Sequence, residues 1–145
     1  MQIRPALPTD AEAVNELLEQ LGYPQDDPAA TAARLQTWAD DPHGAAYVAE
    51  ANRAVLGVIA VHTVPFLERE GTWARIVALV VSDLHRRQGV GTHLLKAAET
   101  FATTHNCLRL EVTSSNYRHP AHTFYKTHGY TNQSERSSRF LRNLS

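Results

Sequence analysis

Arg86-Arg87-Gln88-Gly89-Val90-Gly91 combines residue types and spacing suited to holding phosphate. An apolar run, Ile76 to Val81, enters this turn, and an amphipathic run, Leu94 to Ala102, leaves it. The first N–H groups of a helix have no partner within it, and the aligned peptide dipoles place partial positive charge at the same end. Glycine lets a diphosphate approach the backbone without a Cβ in the way and opens φ > 0. Two arginines add full charges. No Gly-Lys-Ser/Thr follows, so the turn is not a nucleoside-triphosphate loop, and its spacing is not the Gly-x-Gly-x-x-Gly of a dinucleotide fold. The plainer alternative is a tight strand-to-helix turn with no ligand.

The elements that must position this turn are legible from periodicity. Gln2 to Ala6 reads as a short first strand with Pro5 at its edge. Thr9-Asp10 caps a helix whose apolar positions Ala13, Val14, Leu17, Leu18 and Leu21 keep helical spacing, and Gly22 ends it. Asp27-Pro28 starts a second helix with Ala32, Leu35 and Trp38 on one side. Ala46–Ala51 and Val55–His62 form a hairpin joined by Asn52-Arg53. Val64–Thr72 is a polar loop. Trp73–Val81 is too apolar to be half exposed and is therefore central. The main helix spans 90–105, a strand covers Leu108–Thr113, and a short helix covers Pro120–His128 before Gly129. Tyr130 onward and Ser137–Leu141 suggest a closing antiparallel hairpin.

The order is β-α-α-β-β-β-α-β-α-β-β. It predicts one α/β domain over residues 1–145, with a mixed, mostly antiparallel sheet flanked by helices. The strands around the main helix are parallel through a right-handed crossover.

The chain has 145 residues, 43% of them hydrophobic, enough for one domain with its own core. It has no apolar run long enough for a membrane span, and its N-terminus lacks a secretory apolar core. One cysteine, Cys107, forms no internal disulfide and suits a reducing cytoplasm. The net charge of −1 hides an asymmetry. Residues 1–72 hold 4 Arg/Lys against 11 Asp/Glu, and residues 73–145 hold 10 against 4. An anionic ligand prefers the second half and a cationic one the first. There is no lysine-rich block with interleaved aromatics, so nucleic acid is not an expected partner. His119, His122 and His128 lack the spacing of a metal site, and no metal is expected.

Val80 to Gly91 resembles the acetyl-CoA signature of the GNAT N-acetyltransferase superfamily: an apolar strand, Arg/Gln-x-x-Gly-x-Gly/Ala, then a helix. Downstream, Asn116, Arg118, Ala121, Phe124-Tyr125 and Gly129-Tyr130 resemble its second CoA-contacting segment. Arg118-His119-x-Ala121-His122-x-Phe124-Tyr125 is most similar to the small aminoalkylphosphonate N-acetyltransferase-like branch.

The resemblance implies transfer of an acetyl group from acetyl-CoA to a primary amine, with a small molecule preferred over a protein or peptide amine. It places the diphosphate on Arg86, Arg87, Gln88, Gly89, Val90, Gly91 and Thr92. Backbone from Leu79, Val80 and Val81, in a strand bulged near that point, meets the thioester and its oxyanion. Ser115 or Asn116 bonds the pantetheine, and Tyr125 contacts the donor and protonates the leaving thiolate. A phenol with a pKa near ~10 holds its proton at neutral pH and can donate it; packing beside Phe124 is the alternative role.

Three departures stand out. The stretch that carries a glutamate in many relatives is here Arg75-Ile76-Val77-Ala78-Leu79, so the base must come from elsewhere: Glu111, or Glu68, Glu70, His62 or a water chain. Ser115 stands where relatives commonly have Asn. Pro120 stands where the branch often has Asp. The missing strand carboxylate also leaves room for a non-catalytic acyl-CoA-binding or regulatory module. Cys107 is read as a small apolar residue, Trp38 and Trp73 as core or interface anchors, and the early helices with Tyr23 and Asp26-Asp27 as one wall of the acceptor cleft. Sheet-edge pairing makes a homodimer an option.

Overall fold

The computed structural model describes residues 1–113 and 119–144. It divides into two compact units, Met1–Val112 and Thr113–Ser145.

The first unit is a five-stranded sheet in the order β1-β2-β3-β4-β5. The strands are β1 (Gln2–Pro5), β2 (Gly44–Ala51), β3 (Ala54–Pro65), β4 (Thr72–Val81) and β5 (Cys107–Val112). The first four pair antiparallel, and β4 pairs with β5 in parallel. The helices are α1 (Ala11–Leu21), α2 (Pro28–Asp40) and α3 (Val90–Thr104). Val14, Leu17 and Leu35 of α1 and α2 share a buried cluster with Val48, Val58 and Val80 of the sheet. The aliphatic residues of α3, Val90, Leu94, Leu95 and Ala98, are buried. Gly57 of β3 makes room for that helix: a Cβ there would stand 2.9 Å from Leu94 Cδ1 and 2.9 Å from the Val80 carbonyl. Among the described residues no helix is long and apolar enough to cross a membrane.

Local chemistry sets the ends of these elements. Gly22 takes φ +107 and its N–H caps α1; Asp27 accepts from Ala29 N–H at 2.9 Å to open α2, with Pro28 in the first turn. Asn52 and Arg53 both have positive φ, as a two-residue hairpin turn of the I′ type requires. β3 runs three residues past the expected His62, because pairing with β4 continues through Val64↔Trp73 and Pro65↔Thr72. The loop that remains, 66–71, closes through Phe66 N–H to the Gly71 carbonyl at 3.0 Å.

The second unit holds α4 (His119–Thr127), stopped by Gly129 at φ +89. Tyr130 N–H returns to the Tyr125 carbonyl at 3.0 Å. The two closing strands expected after Tyr130 do not form. Residues 131–144 contain a turn at 134–136, held by Arg136 N–H to the Gln133 carbonyl, and no strand. The stretch Asn132 to Ser138 is polar without alternation, so it has no apolar face to fix a register, and Phe140, Leu141 and Leu144 stand exposed.

The strongest polar tie in the first unit joins β1, β2 and the entry to α1. Asp10, 8% exposed, accepts from both terminal nitrogens of Arg4 at 2.8 and 2.9 Å and from Leu7 N–H at 2.8 Å. Arg4 also binds Glu50 at 2.8 Å. The Arg4 hydrogen bonds hold the Asp10 carboxyl below its ordinary range, against the opposing effect of burial. A depressed carboxylate stabilises the fold at any pH above its unfolded value, near ~3.9, and loses that contribution as pH falls through the folded value. Asp10→Ala leaves the guanidinium short of its partner and is expected to lower stability by about 3 kcal/mol at pH 7. Urea melts run from pH 7 to pH 2 should show the gap between the two proteins closing below pH 4.

Candidate active site

β4 changes partners along its length, and this creates the site. Pairing with β5 runs from Thr72↔Cys107 to Ile76↔Val112 and ends there. Beyond Ile76, β4 stays paired with β3 alone through Ile59↔Leu79, Val58↔Val80 and Gly57↔Val81. The flank of Val77–Val81 on the β5 side thus has no strand partner among the described residues. The bulge expected at Leu79–Val81 sits earlier. Ala60 pairs with Ala78 and Val61 with Ile76, which leaves Val77 as the extra residue and 55% exposed. It falls where β4 stops pairing with β5, because one inserted residue turns the strand away from its parallel neighbour.

Alternation along β4 assigns its outward groups. Ser82 N–H donates across to the Leu56 carbonyl at 2.8 Å, on the β3 side. Two residues back, the Val80 backbone shares that side, and its side chain is buried against α1 and α2. The N–H groups of Leu79 and Val81 point to the open flank.

The chain then turns into α3 beside this flank. A single 3₁₀ turn, Asp83–His85, is anchored by Asp83 N–H to Gln20 Oε1 of α1 at 2.9 Å. Arg87 has φ +65 and Gly89, the N-cap of α3, has φ +81 and ψ +4. Left-handed residues alternating with an ordinary one turn successive N–H groups toward one concavity, a geometry suited to anions. Glycine brings no side chain to cap α3, so the first helical N–H groups get none from it. Val90 is 2% exposed and packs toward Gly57, so only its backbone faces outward. Arg86 pairs with Asp83 at 2.7 Å, both side chains well exposed.

The sheet register aligns a second group of residues. His62 of β3 pairs with Arg75 of β4, and Arg75 pairs with Glu111 of β5, so the three project from one face. Glu111 is about half exposed and accepts from Arg109 Nε at 3.0 Å. Arg109 also lies over the Phe66 and Trp73 rings, at 5.1 and 5.7 Å from their centroids. Glu68 and Glu70 are exposed in the 66–71 loop.

His62 is held more tightly. Nδ1 faces the Thr63 carbonyl at 2.9 Å, Nε2 faces Asp41 Oδ2 at 2.8 Å, and Trp38 packs edge-on at 5.9 Å. Both partners are acceptors, so a ring nitrogen that carries hydrogen donates to the oxygen it faces. The Asp41 carboxyl is held below its ordinary range, first by His43 N–H and then by His62. The sequence offered no sign of this pair, whose members lie 21 positions apart.

In the second unit, Tyr125 packs edge-on against Phe124 at 5.4 Å and Tyr130 at 6.0 Å. Ser115, Asn116 and Arg118 lie outside the described residues. Among the described residues no group of three His, Cys, Asp or Glu is placed to hold a metal ion.

Residues 11–130 match the model of the acetyltransferase (GNAT) family. No curated protein matches in sequence. Solved structures do match in fold. An Agrobacterium tumefaciens protein assigned as an acetyltransferase superposes with a TM-score of 0.87 at 22% identity, over 99% of this chain and 100% of that one. A GNAT family acetyltransferase of Staphylococcus aureus gives 0.80 at 23% identity, over 99% and 98%. An aminoglycoside 6'-N-acetyltransferase of Acinetobacter haemolyticus gives 0.79 at 17% identity, over 100% of each chain.

The turn before α3 depends on its glycine for conformation, not for space. A Cβ at Gly89 would meet only the His93 ring, at 3.8 Å, but would be forced into the left-handed region. Gly89→Ala is expected to cost about 1 kcal/mol. Chemical denaturation checks the cost, and amide exchange should show faster opening confined to the first turns of α3.

Proposed function

The chain belongs to the acetyltransferase (GNAT) family and is an acyltransferase, and on that premise we propose that it moves the acetyl group of acetyl-CoA onto a primary amine of a small molecule. One observation carries the reading. The open flank of β4 leads directly into the left-handed turn and uncapped start of α3, so a strand-like pantetheine and a diphosphate meet donors in the right order along one path.

In this reading the diphosphate lies against the N–H groups of Arg87 to Gly91, with Arg86, Arg87 and Thr92 beside it. The pantetheine follows Val77–Val81, and the Leu79 N–H donates to the thioester oxygen as negative charge develops there. Val81 offers the second outward N–H. Ser115 or Asn116 is the further pantetheine contact. The amine nitrogen attacks the carbonyl carbon, the C–S bond breaks as the sulfur takes a proton from the Tyr125 hydroxyl, and the proton shed by the new amide nitrogen returns the phenolate to phenol.

The amine must first lose a proton, and Arg75 cannot take it. Glu111, one strand away in the same row, is the base we favour, acting directly or through water. Its partner Arg109 holds the carboxylate through Nε at 3.0 Å. The acceptor amine lies over the face that carries Arg75 and Glu111. Two of the similar structures are named as acetyltransferases without an acceptor, and a third as an aminoglycoside enzyme. The aminoalkylphosphonate-like motif around Phe124-Tyr125 keeps a small anionic amine among the acceptors to test. A cytoplasmic location accords with the lone free cysteine.

The arginine in place of a carboxylate favours a second reading, a module that binds acyl-CoA without turnover. Thiol release from acetyl-CoA, measured against a panel of amines that includes aminoglycosides, polyamines, amino acids and aminoalkylphosphonates, separates the two. Turnover with any of them is the expected result; tight CoA binding with no turnover supports the module. Tyr125→Phe should lower kcat about 10- to 100-fold with KM for acetyl-CoA changed less than threefold. An unchanged kcat removes Tyr125 from the acid role. Glu111→Gln should lower kcat at neutral pH by about tenfold or more, measured with the acceptor that turns over best.

A further inference from the structure

Gly89, the residue that opens α3, has its carbonyl doubly engaged by one partner. His93 donates its backbone N–H at 3.1 Å and its ring Nδ1–H at 2.8 Å. The ring lies along the bare side of the glycine, with Cε1 and Nδ1 each 3.8 Å from where a Cβ would be. Two other histidines bond the carbonyl four residues back: His105 to Phe101 at 2.9 Å and His128 to Phe124 at 2.8 Å. Both of those follow the last residue of a helix, where a histidine cation is favoured by the dipole. His93 sits at the opposite end, in the first turn, where the dipole opposes a cation.

Its surroundings oppose one too. From Ser82 to Ala98 the charged or titratable side chains are Asp83, His85, Arg86, Arg87, His93 and Lys96, and the one carboxylate before Glu99, Asp83, is tied to Arg86. The Gly89 bond fixes the tautomer: Nδ1 carries the hydrogen, so Nε2 is the atom that gains or loses one. An anion seated in the turn would favour a proton on Nε2.

We propose that His93 is a binding residue for the donor's diphosphate, pinned by the Gly89 carbonyl through Nδ1 and taking up a proton on Nε2 as the anion binds. This rests on the donor site proposed above and adds two things to it. The turn carries a side-chain donor beyond its arginines and backbone N–H groups, and donor affinity is linked to pH. Proton uptake on binding requires that affinity fall as pH rises through the histidine range, since the bound form holds the extra proton.

The test is calorimetric titration of the full chain with 3'-dephospho-CoA at pH 6, 7 and 8, in two buffers of different ionisation enthalpy. That probe keeps the diphosphate and lacks the phosphate monoester, whose own titration near ~6 would confound the reading. The wild type is expected to take up a fraction of a proton at pH 7 and to bind about three- to tenfold more weakly at pH 8 than at pH 6. His93→Asn places an amide donor near the Nδ1 position without a titrating group, and should bind with no uptake and a flat pH dependence. His93→Leu, which loses both functions, should bind more weakly than His93→Asn. His85→Asn should keep the wild-type uptake.

Uptake and pH dependence unchanged in His93→Asn overturn the inference and leave the donor site standing. Uptake lost in His85→Asn instead moves the role to His85 and overturns it as well. A wild type that binds neither CoA nor the probe removes the donor site itself, and the inference with it.

Discussion

The whole arrangement depends on a backbone constraint in β4. A strand inside a sheet must satisfy donors and acceptors on two sides, and β4 does so only as far as Ile76. The extra residue at Val77 lets the pairing with β3 resume one step later, while β5 ends at Val112 against Ile76. Unpaired strand edges are normally a hazard because they recruit other strands. Here the unpaired stretch leads into the start of α3, so the elements that leave the edge open also supply something to fill it. An extended ligand with amide groups can replace the missing strand at little cost in order, since the protein side of the ladder is already fixed.

Placing that turn depends on packing from the other direction. α3 approaches the sheet closely because Gly57 has no Cβ, and Val90 and Leu94 occupy the space. Burial of Val90 at 2% exposure aims its side chain inward and commits its backbone N–H to the outside. The link from Asp83 N–H to Gln20 ties the loop before the turn to α1. The turn is thus held at both ends by packing and a hydrogen bond within the first unit, which supports the left-handed conformations of Arg87 and Gly89.

Much of this was legible in the residues themselves. The apolar run 73–81, the glycine spacing and the amphipathic run after it predicted strand, turn and helix in the right order, because each signal is local. The parallel β4–β5 pair followed from the handedness of the crossover. What the letters did not show was set by partners distant in sequence. The bulge at Val77 depends on how β4 registers against β3. The extension of β3 to Pro65 depends on pairing with Trp73 and Thr72. The His62–Asp41 pair depends on α2 ending beside β3. The expected closing strands failed for a local reason: Asn132 to Ser138 lacks any alternation. Tyr125 was singled out by motif, and its ring is packed between Phe124 and Tyr130, consistent with either a packing or an acid role.

The row His62, Arg75, Glu111 bears on how an amine could be activated. An arginine at the central position does not take up a proton, and it favours the charged form of any carboxylate beside it. In the proposed mechanism Glu111, paired in register with Arg75 and bonded to Arg109 on its own strand, is the base. A carboxylate in that role suffices if the acceptor amine is already easy to deprotonate, and arginines beside the acceptor would favour that, because a neighbouring cation lowers the pKa of an ammonium. The loss of the strand carboxylate and the gain of an arginine then act together. In that proposal less falls to pulling the proton off and more to making the ammonium unwilling to keep it. That division of labour requires the acceptor to come close to a cationic surface, which an amine bearing an anionic group of its own does most readily.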